Sequence, residues 1–203
     1  MRETSRIEKE AALEEAYMVG RSLPPLPGST QYVPGVGDAL SRVILVGEAP
    51  GASEDREGEP FVGKAGKLLT DSLENLGIPR ESVYIVNTVG YRPPNNRKPT
   101  AEEISLHFPI LNRVVEIINP IAMLLLGATA LKAVTGSSHI SSARGKELPS
   151  PWSCLVMATY HPSYVDYGGI TKKDWSTSVE VFFETALERV LQSDQTRLKI
   201  SSR

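Results

Sequence analysis

The stretch Val43-Ile-Leu-Val-Gly-Glu-Ala-Pro-Gly51 decides how the chain is expected to fold. Its run of branched apolar residues predicts a strand buried on both faces, as in a parallel sheet. The glycines on either side of Glu-Ala-Pro let the backbone approach a ligand closely, and the proline stiffens the turn. Because ligands bind at the carboxyl ends of such strands, Glu48, Ala49 and Gly51 are candidates for the wall of a site. The alternative is an ordinary strand exit followed by a solvated acidic loop.

Strands and helices alternate along the rest of the chain, which predicts an α/β fold with a parallel sheet and helices on both of its faces. The acidic segment 52–60 is expected to be a loop, and residues 193–203 a disordered tail. Strands are predicted at 42–46, 82–87, 121–126 and 154–159, and helices at 3–19, 63–76, 100–118, 128–134 and 173–191.

Length and composition are those of an ordinary globular protein. The chain has 203 residues, a formal net charge of −2 and 23% charged residues. The length suits one domain, and the net charge means that any nucleic-acid partner must be held by a local patch of cations. No apolar run is long enough to span a bilayer, and the N-terminal segment is charged and lacks the apolar core of a signal peptide. We therefore expect an intracellular, cytoplasmic location.

Five sequence blocks occur in an order that is specific for one family. They are Gly47–Gly51, Pro60–Gly66, Arg92–Arg97, Leu126–Ala130 and Ala158–Val165. With Asn87 at the end of an apolar run, these blocks resemble the uracil-DNA glycosylase superfamily, and most closely its family 4, whose motifs are Gly-Glu-Ala-Pro-Gly and His-Pro-Ser/Ala. The resemblance runs from about residue 42 to about residue 186.

This resemblance implies a three-layer α/β/α fold with a four-stranded parallel sheet in the order 2-1-3-4. We divide the chain into an N-terminal helix and proline-rich segment (1–41), a glycosylase-like domain (42–192) and the tail. The implied activity is excision of uracil from DNA by base flipping and hydrolysis of the N-glycosidic bond, with DNA as partner and the protein acting as a monomer. No lysine in the motif loops offers a Schiff base, so the enzyme is expected to be monofunctional.

Three residues are the catalytic candidates that the resemblance implies. His161 is expected to donate a hydrogen bond to the developing O2 anion of uracil. Glu48 is expected to position water or stabilise the cationic sugar, with Glu54 in a supporting role. A solvated carboxylate in an acidic loop is the competing interpretation of Glu54.

Two residues are expected to read the base, in addition to the contacts from Ala49 and Gly51. Asn87 can pair with the O4 and N3–H edge of uracil, a pattern that cytosine does not match. Its alternative use is to cap a turn. Phe61 is expected to stack on the flipped base, and its alternative is a core aromatic residue beside Pro60.

The expected contacts to DNA come from the loops around this site. Hydroxyl and backbone N–H groups are expected to bind phosphates, basic side chains to add charge, and one apolar side chain to fill the gap left by the base. These residues are Gly63, Lys64, Gly66, Arg144, Ser163 and Val165. Gly127, which precedes a helix, is expected to be a packing glycine.

Family 4 enzymes hold a [4Fe–4S] cluster with four cysteines, and here this chain departs from the family. The corresponding positions are Gly20, Leu23, Tyr91 and His107, and the chain contains one cysteine, Cys154, in an apolar strand. We therefore expect no cofactor and no metal ligands, because a cluster of this type requires cysteine thiolates.

A second departure follows the wedge position, where this chain reads Asp166-Tyr167. An acid facing phosphates would weaken DNA binding, whereas a tyrosine offers a stacking surface for an unpaired base. These departures keep open a second hypothesis, a catalytically silent DNA-binding module with the same fold. A small-nucleotide hydrolase is a third, but the chain lacks the carboxylate cluster or phosphate-gripping lysine motif that it would need.

Overall fold

A computed structural model describes the backbone of residues 5–201 and the side chains of residues 5–191. A four-stranded parallel sheet forms its centre, in the order β2-β1-β3-β4, which confirms the predicted fold class. The strands are β1 (Val43–Gly47), β2 (Tyr84–Asn87), β3 (Ala122–Leu126) and β4 (Leu155–Thr159).

Eight α-helices accompany the sheet in the described part of the chain. They are α1 (Arg6–Ser22), α2 (Ala52–Glu57), α3 (Lys64–Asn75), α4 (Ala101–Ile118), α5 (Ala128–Thr135), α6 (Ile140–Ala143), α7 (Ser163–Asp166) and α8 (Lys172–Ser201). None of these helices is long and apolar enough to cross a lipid bilayer.

The core lies in two layers, one on each face of the sheet. On one face, residues of α1, α4 and α5 pack on alternate strand residues such as Ile44 and Val46. On the other, α3 and α8 pack on the intervening residues such as Leu45, with Trp175 and Phe182 fully buried. Because successive side chains of a strand point to opposite faces, continuous apolar strands are what this three-layer arrangement requires.

Helices α1 and α4, which pack together on the first face, begin with the same N-terminal capping motif. At α1 the Ser5 side chain accepts from the Glu8 backbone N–H and Glu8 returns the bond to Ser5, and Thr100 and Glu103 repeat this pattern at α4. Such a capping box satisfies N–H groups that the first turn of a helix leaves unpaired.

The short helices α6 and α7 were not predicted from the sequence, α1 ends at Ser22 rather than at residue 19, and residues 3 and 4 of the predicted first helix lie outside the described part. Two further differences have an identifiable local cause. Segment 52–60 was expected to be a loop, but residues Ala52–Glu57 form α2, because the Glu54 carboxylate accepts the Gly51 N–H and Gly58 ends the helix with a left-handed conformation. The last helix was expected to end at residue 191, but α8 continues to Ser201. Its final segment lacks glycine and proline and is rich in helix-forming residues. The expected disordered tail therefore overlaps α8, and residues 202 and 203 lie outside the described part.

Candidate active site

The strand register brings the polar strand ends together at one edge of the sheet. Gly47 lies opposite Asn87, and Val46 lies opposite Leu125, so Glu48 emerges beside the start of α5. Leu126 lies opposite Thr159, and the Gly127 N–H donates to the Thr159 carbonyl at 2.9 Å. His161 therefore projects from the same edge, as expected for parallel strands.

These strand ends surround a cavity of about 510 Å³. Among the predicted site residues, all three catalytic candidates and all four base-reading candidates line it, as does Ser163. The lining also includes Pro50, Ala65, Pro93, Asn96, Arg97, Lys98, Gly127, Ala128, Ile140, Tyr160, Tyr164 and Tyr167. The cavity is thus mostly apolar with a few convergent polar groups, which is the usual character of a small-ligand site.

Phe61 lies in the cavity wall close to both Asn87 and His161. Its ring centroid is 5.7 Å from that of His161, with an angle of 31° between the ring planes. A Cβ atom at Gly47 would lie 2.3 Å from the Asn87 Oδ1 and 2.5 Å from the Phe61 ring. Only a glycine at position 47 therefore lets the amide and the ring approach each other across the strand end.

The backbone of Phe61 adopts a positive φ of 56°, which is uncommon for a bulky residue. A Cβ atom at Gly66 would lie 1.8 Å from the Phe61 carbonyl oxygen, so α3 can pack this closely on the Phe61 backbone only through a glycine. We conclude that Gly66 serves the packing of this turn.

Glu54 holds the same turn through its carboxylate. One oxygen accepts the N–H groups of Val62 (3.1 Å) and Gly63 (2.8 Å), and the other accepts that of Gly51 (3.1 Å). The loop that carries Phe61 is thereby tied to the start of α2. Three backbone donors satisfy this carboxylate, so the solvated-carboxylate interpretation of Glu54 is wrong, and its geometry fits a positioning role.

The protonation state of His161 follows from its hydrogen bonds. Its Nδ1 lies 3.3 Å from the Ser163 backbone nitrogen and 2.7 Å from the Ser163 hydroxyl oxygen. Because a backbone N–H can only donate, Nδ1 is an acceptor, and the proton of the neutral ring lies on Nε2. Burial lowers the pKa of His161 from 6.5 to about 4, against the opposing effect of the Glu54 charge. At neutral pH the residue is therefore an uncharged imidazole that can donate from Nε2.

Glu48 has a partner that the sequence prediction missed. The Thr129 hydroxyl, in the first turn of α5, donates a short hydrogen bond to Oε2 of Glu48. The Thr129 side chain is buried, whereas Glu48 is half-buried and lines the cavity. Thr129 belongs to the block 126–130, one of the five that carry the family resemblance, but the block does not show what its side chain contacts. Only the register of β1 against β3 places the threonine beside the glutamate.

The predicted DNA-binding residues divide into two groups in the structure. Three are already engaged within the protein: the Gly63 N–H donates to Glu54, the Lys64 ammonium pairs with Asp166 at 2.9 Å, and the Ser163 hydroxyl bonds His161. Gly66 is used for packing. Ser163 therefore orients the imidazole in this structure, and Lys64 is partly neutralised at the rim.

The other two, Arg144 and Val165, differ from each other in exposure. Arg144 is exposed, with its guanidinium 5.4 Å from the centroid of the Tyr160 ring. Val165, in α7, is half-buried against the core layer formed with α8. The sequence prediction did not single out Arg97 and Lys98 for the cavity wall, although both line it. Contact of any of these residues with DNA stays a prediction.

The four positions at which family 4 carries cluster cysteines lie around an aromatic group. The Tyr32 ring stacks on His107 (6.1 Å, 16°) and meets Tyr91 edge to face (5.2 Å, 88°). A Cβ atom at Gly20 or Gly90 would lie 2.5 Å or 2.2 Å from the Tyr32 ring. Tyr32, Tyr91 and His107, which we call the aromatic group, are all buried and fill this space.

These residues do not fit an iron–sulfur cluster. None of the four positions carries a thiolate, and Cys154 is a buried free cysteine in the layer beneath α4 and α5. Among the side chains of residues 5–191 there is also no group of three or more His, Cys, Asp or Glu that could hold a metal ion. Tyr32, at the centre of the aromatic group, belongs to the N-terminal proline-rich segment that follows α1.

Comparison with known proteins identifies relatives of the chain. A family model described as the uracil DNA glycosylase superfamily matches residues 34–180. The type-4 uracil-DNA glycosylase of Thermotoga maritima is 46% identical over 138 residues, which cover 67% of this chain and 72% of that protein. The type-4 uracil-DNA glycosylase of Pyrobaculum aerophilum is 39% identical over 167 residues (78% and 85%), and the type-5 uracil-DNA glycosylase of the same organism is 34% identical over 148 residues (64% and 65%).

Proposed function

Because the chain belongs to the uracil-DNA glycosylase superfamily, we propose that it removes uracil from DNA by hydrolysing the N-glycosidic bond of a nucleotide flipped into the cavity. The observation that carries this proposal is the placement of Phe61 close to both the Asn87 amide and a neutral His161 whose free donor is Nε2. In this proposal a planar base that stacks on Phe61 meets both the amide and the hydrogen-bond donor.

Recognition of the base falls to Asn87 in this proposal. Asn87 is buried at the end of β2, and its side-chain amide carries both a donor and an acceptor. A base that cannot match both leaves a buried polar group unpaired, which costs about 1–3 kcal/mol. This cost favours uracil over cytosine.

His161 and Glu48 carry the chemistry. As the C–N bond breaks, its electron pair moves onto the base, and the His161 Nε2–H stabilises the resulting charge on the uracil oxygen. A donor that is already in place is effective because no reorganisation is required. Glu48 orients the water that adds to the sugar carbon, and its negative charge stabilises the cationic sugar. As the C–O bond forms, the water gives up one proton, which balances the negative charge of the departing uracil. Glu54 supports the reaction by holding the Phe61 turn.

We further propose that the enzyme works without an iron–sulfur cluster and as a monomer. In place of a cluster, the aromatic group connects α1, the segment after β2 and α4. All residues assigned to the reaction come from one chain, so a second copy is not needed to complete the cavity. We also expect the enzyme to act inside the cell, where its DNA substrate is.

Uracil excision from single- and double-stranded oligonucleotides tests the proposal. Metal-stripped wild-type protein should yield alkali-cleavable abasic sites. His161→Ala should lower the rate roughly 10²–10³-fold, and Asn87→Ala roughly 5–150-fold, which corresponds to the loss of about 1–3 kcal/mol. His139→Ala is the matched control, since His139 is exposed and outside the cavity, and it should match the wild type. Absence of product with DNA binding retained would favour the silent DNA-binding module.

Borohydride trapping tests the monofunctional mechanism. Lys98 lines the exposed rim of the cavity, and it is the lysine to watch for a Schiff base with an abasic site. We expect no trapped complex, because Glu48 and water rather than an amine act at the sugar. A covalent complex that disappears in Lys98→Ala would contradict this.

A further inference from the structure

The contact between Thr129 and Glu48 depends on two features of the fold. The register of β1 against β3 puts Glu48 level with the start of α5. Gly127 turns the chain sharply between β3 and α5 with a φ of 98°. The Thr129 hydroxyl then reaches Oε2 of Glu48 across 81 residues of sequence.

Both partners of this hydrogen bond are fixed by other contacts. Thr129 is 6% exposed, and its β-branched side chain has few rotamers in a helix. The backbone of Glu48 is held as well, since its carbonyl accepts the Val89 N–H at 3.1 Å. Within the described residues no further donor bonds the Glu48 carboxylate, so Thr129 is the group that selects its orientation.

We propose that Thr129 is the positioning residue for Glu48: it holds one carboxylate oxygen and leaves the other, Oε1, to orient the attacking water or face the cationic sugar. This inference rests on the proposed function. A carboxylate that is not held samples several rotamers, and the reaction then loses the benefit of a prealigned group. The hydrogen bond also involves a charged acceptor, which makes it stronger than one between neutral groups.

A purely structural role for Thr129 is the competing explanation. In that case the hydroxyl would only join α5 to the end of β1, and its loss would lower stability and leave the chemical step unchanged. The two explanations differ in which measured quantity changes. A positioning role affects the single-turnover rate, whereas a structural role affects the melting temperature.

The decisive experiment compares Thr129→Val, Thr129→Ser and Thr129→Ala under single-turnover conditions with saturating enzyme. Thr129→Val keeps the shape but removes the donor, and we expect its rate to fall about tenfold or more, as for loss of a hydrogen bond to a charged group. Thr129→Ser keeps the hydroxyl and should stay within about threefold of the wild type. Thr129→Ala replaces Thr129→Val if the latter does not fold.

Thr135→Val is the matched control on the same helix. The Thr135 hydroxyl bonds the Leu131 carbonyl in the same helix, outside the cavity wall. This variant should keep the wild-type rate, and the Thr129 variants should keep the wild-type affinity for uracil-free DNA of the same sequence.

Three results would overturn the inference. One is a folded Thr129→Val with a rate within twofold of the wild type. Another is an equal loss in Thr129→Ser and Thr129→Val. The third is a wild type that excises no uracil, which also removes the proposed function, whereas the first two results leave that function intact.

Discussion

Replacing Tyr32 with alanine tests whether the aromatic group holds the N-terminal part of the fold. Tyr32 is 8% exposed, and its ring packs against Tyr91, His107 and Tyr17 with centroid distances of 5.2, 6.1 and 6.2 Å. Truncation of a buried aromatic side chain to alanine costs about 3–5 kcal/mol. We expect a value near the middle of this range, about 4 kcal/mol, because the ring is well packed but lies near the surface.

The structure also indicates that the resulting cavity would not close easily. Gly20 and Gly90, which touch the ring, have no side chains to move into the space. For a chain of about 200 residues, each kcal/mol lowers the melting temperature by about 2–4 °C, so we expect a decrease of roughly 10 °C. Urea unfolding monitored by circular dichroism gives the free energy, and calorimetry gives the melting temperature.

Tyr32→Phe is the matched control. Among the described residues no hydrogen bond to the Tyr32 hydroxyl is found, whereas the Tyr91 hydroxyl donates to the Arg21 carbonyl at 3.1 Å. Tyr32→Phe should therefore cost little, and Tyr91→Phe about 1 kcal/mol. The reasoning would be refuted if Tyr32→Ala lost less than about 1 kcal/mol, or if purified wild-type protein contained stoichiometric iron that its stability required.

Further predictions concern the titration of two histidines and the three backbone hydrogen bonds that the Glu54 carboxylate accepts. Because burial depresses the pKa of His161 to about 4, the excision rate should show no break near pH 6.5, and a break there that vanishes in His161→Asn would contradict a neutral His161 at that pH. Burial likewise lowers the pKa of His107 from 6.5 to about 4, so the unfolded state binds more protons between these values and stability falls as the pH drops through that window. The loss is about 3 kcal/mol by pH 4, and urea titrations should show it to be smaller in His107→Phe, which keeps the aromatic stack. Glu54→Gln replaces an acceptor oxygen by an NH₂ group facing backbone N–H groups, so it should destabilise the fold by about 2 kcal/mol and slow excision; unchanged stability with a large rate loss would instead indicate direct catalysis.

The helical boundaries show where local sequence was sufficient and where it was not. The helix at 100–118 was predictable because Thr100 and Glu103 have the spacing of a capping box, which can be recognised in the sequence. Helix α2 was not, because its first turn depends on a Glu54 carboxylate that also bonds the N–H groups of Val62 and Gly63. An acidic segment that is polar throughout has no periodicity to reveal such a partner.

The site divides in the same way. The convergence of Glu48, Asn87 and His161 was predictable because each follows an apolar strand, and parallel strands bring such ends to one edge. Their expected roles came from the family resemblance. The part played by Ser163 was not, since a serine in a loop suits phosphate contact as well as it suits an imidazole. Its hydroxyl and N–H converge on Nδ1 only because α7 begins at Ser163, two residues after His161.

The sequence by itself determined the fold class, the strand ends that carry the site and the absence of the four thiolates, because these depend on residue type and on local periodicity. Only the tertiary structure decided the contact of Thr129 with Glu48 and the insertion of Tyr32 between Gly20 and Gly90. Both contacts join residues far apart in the chain, and strand register and helix packing, which no local pattern encodes, bring them together.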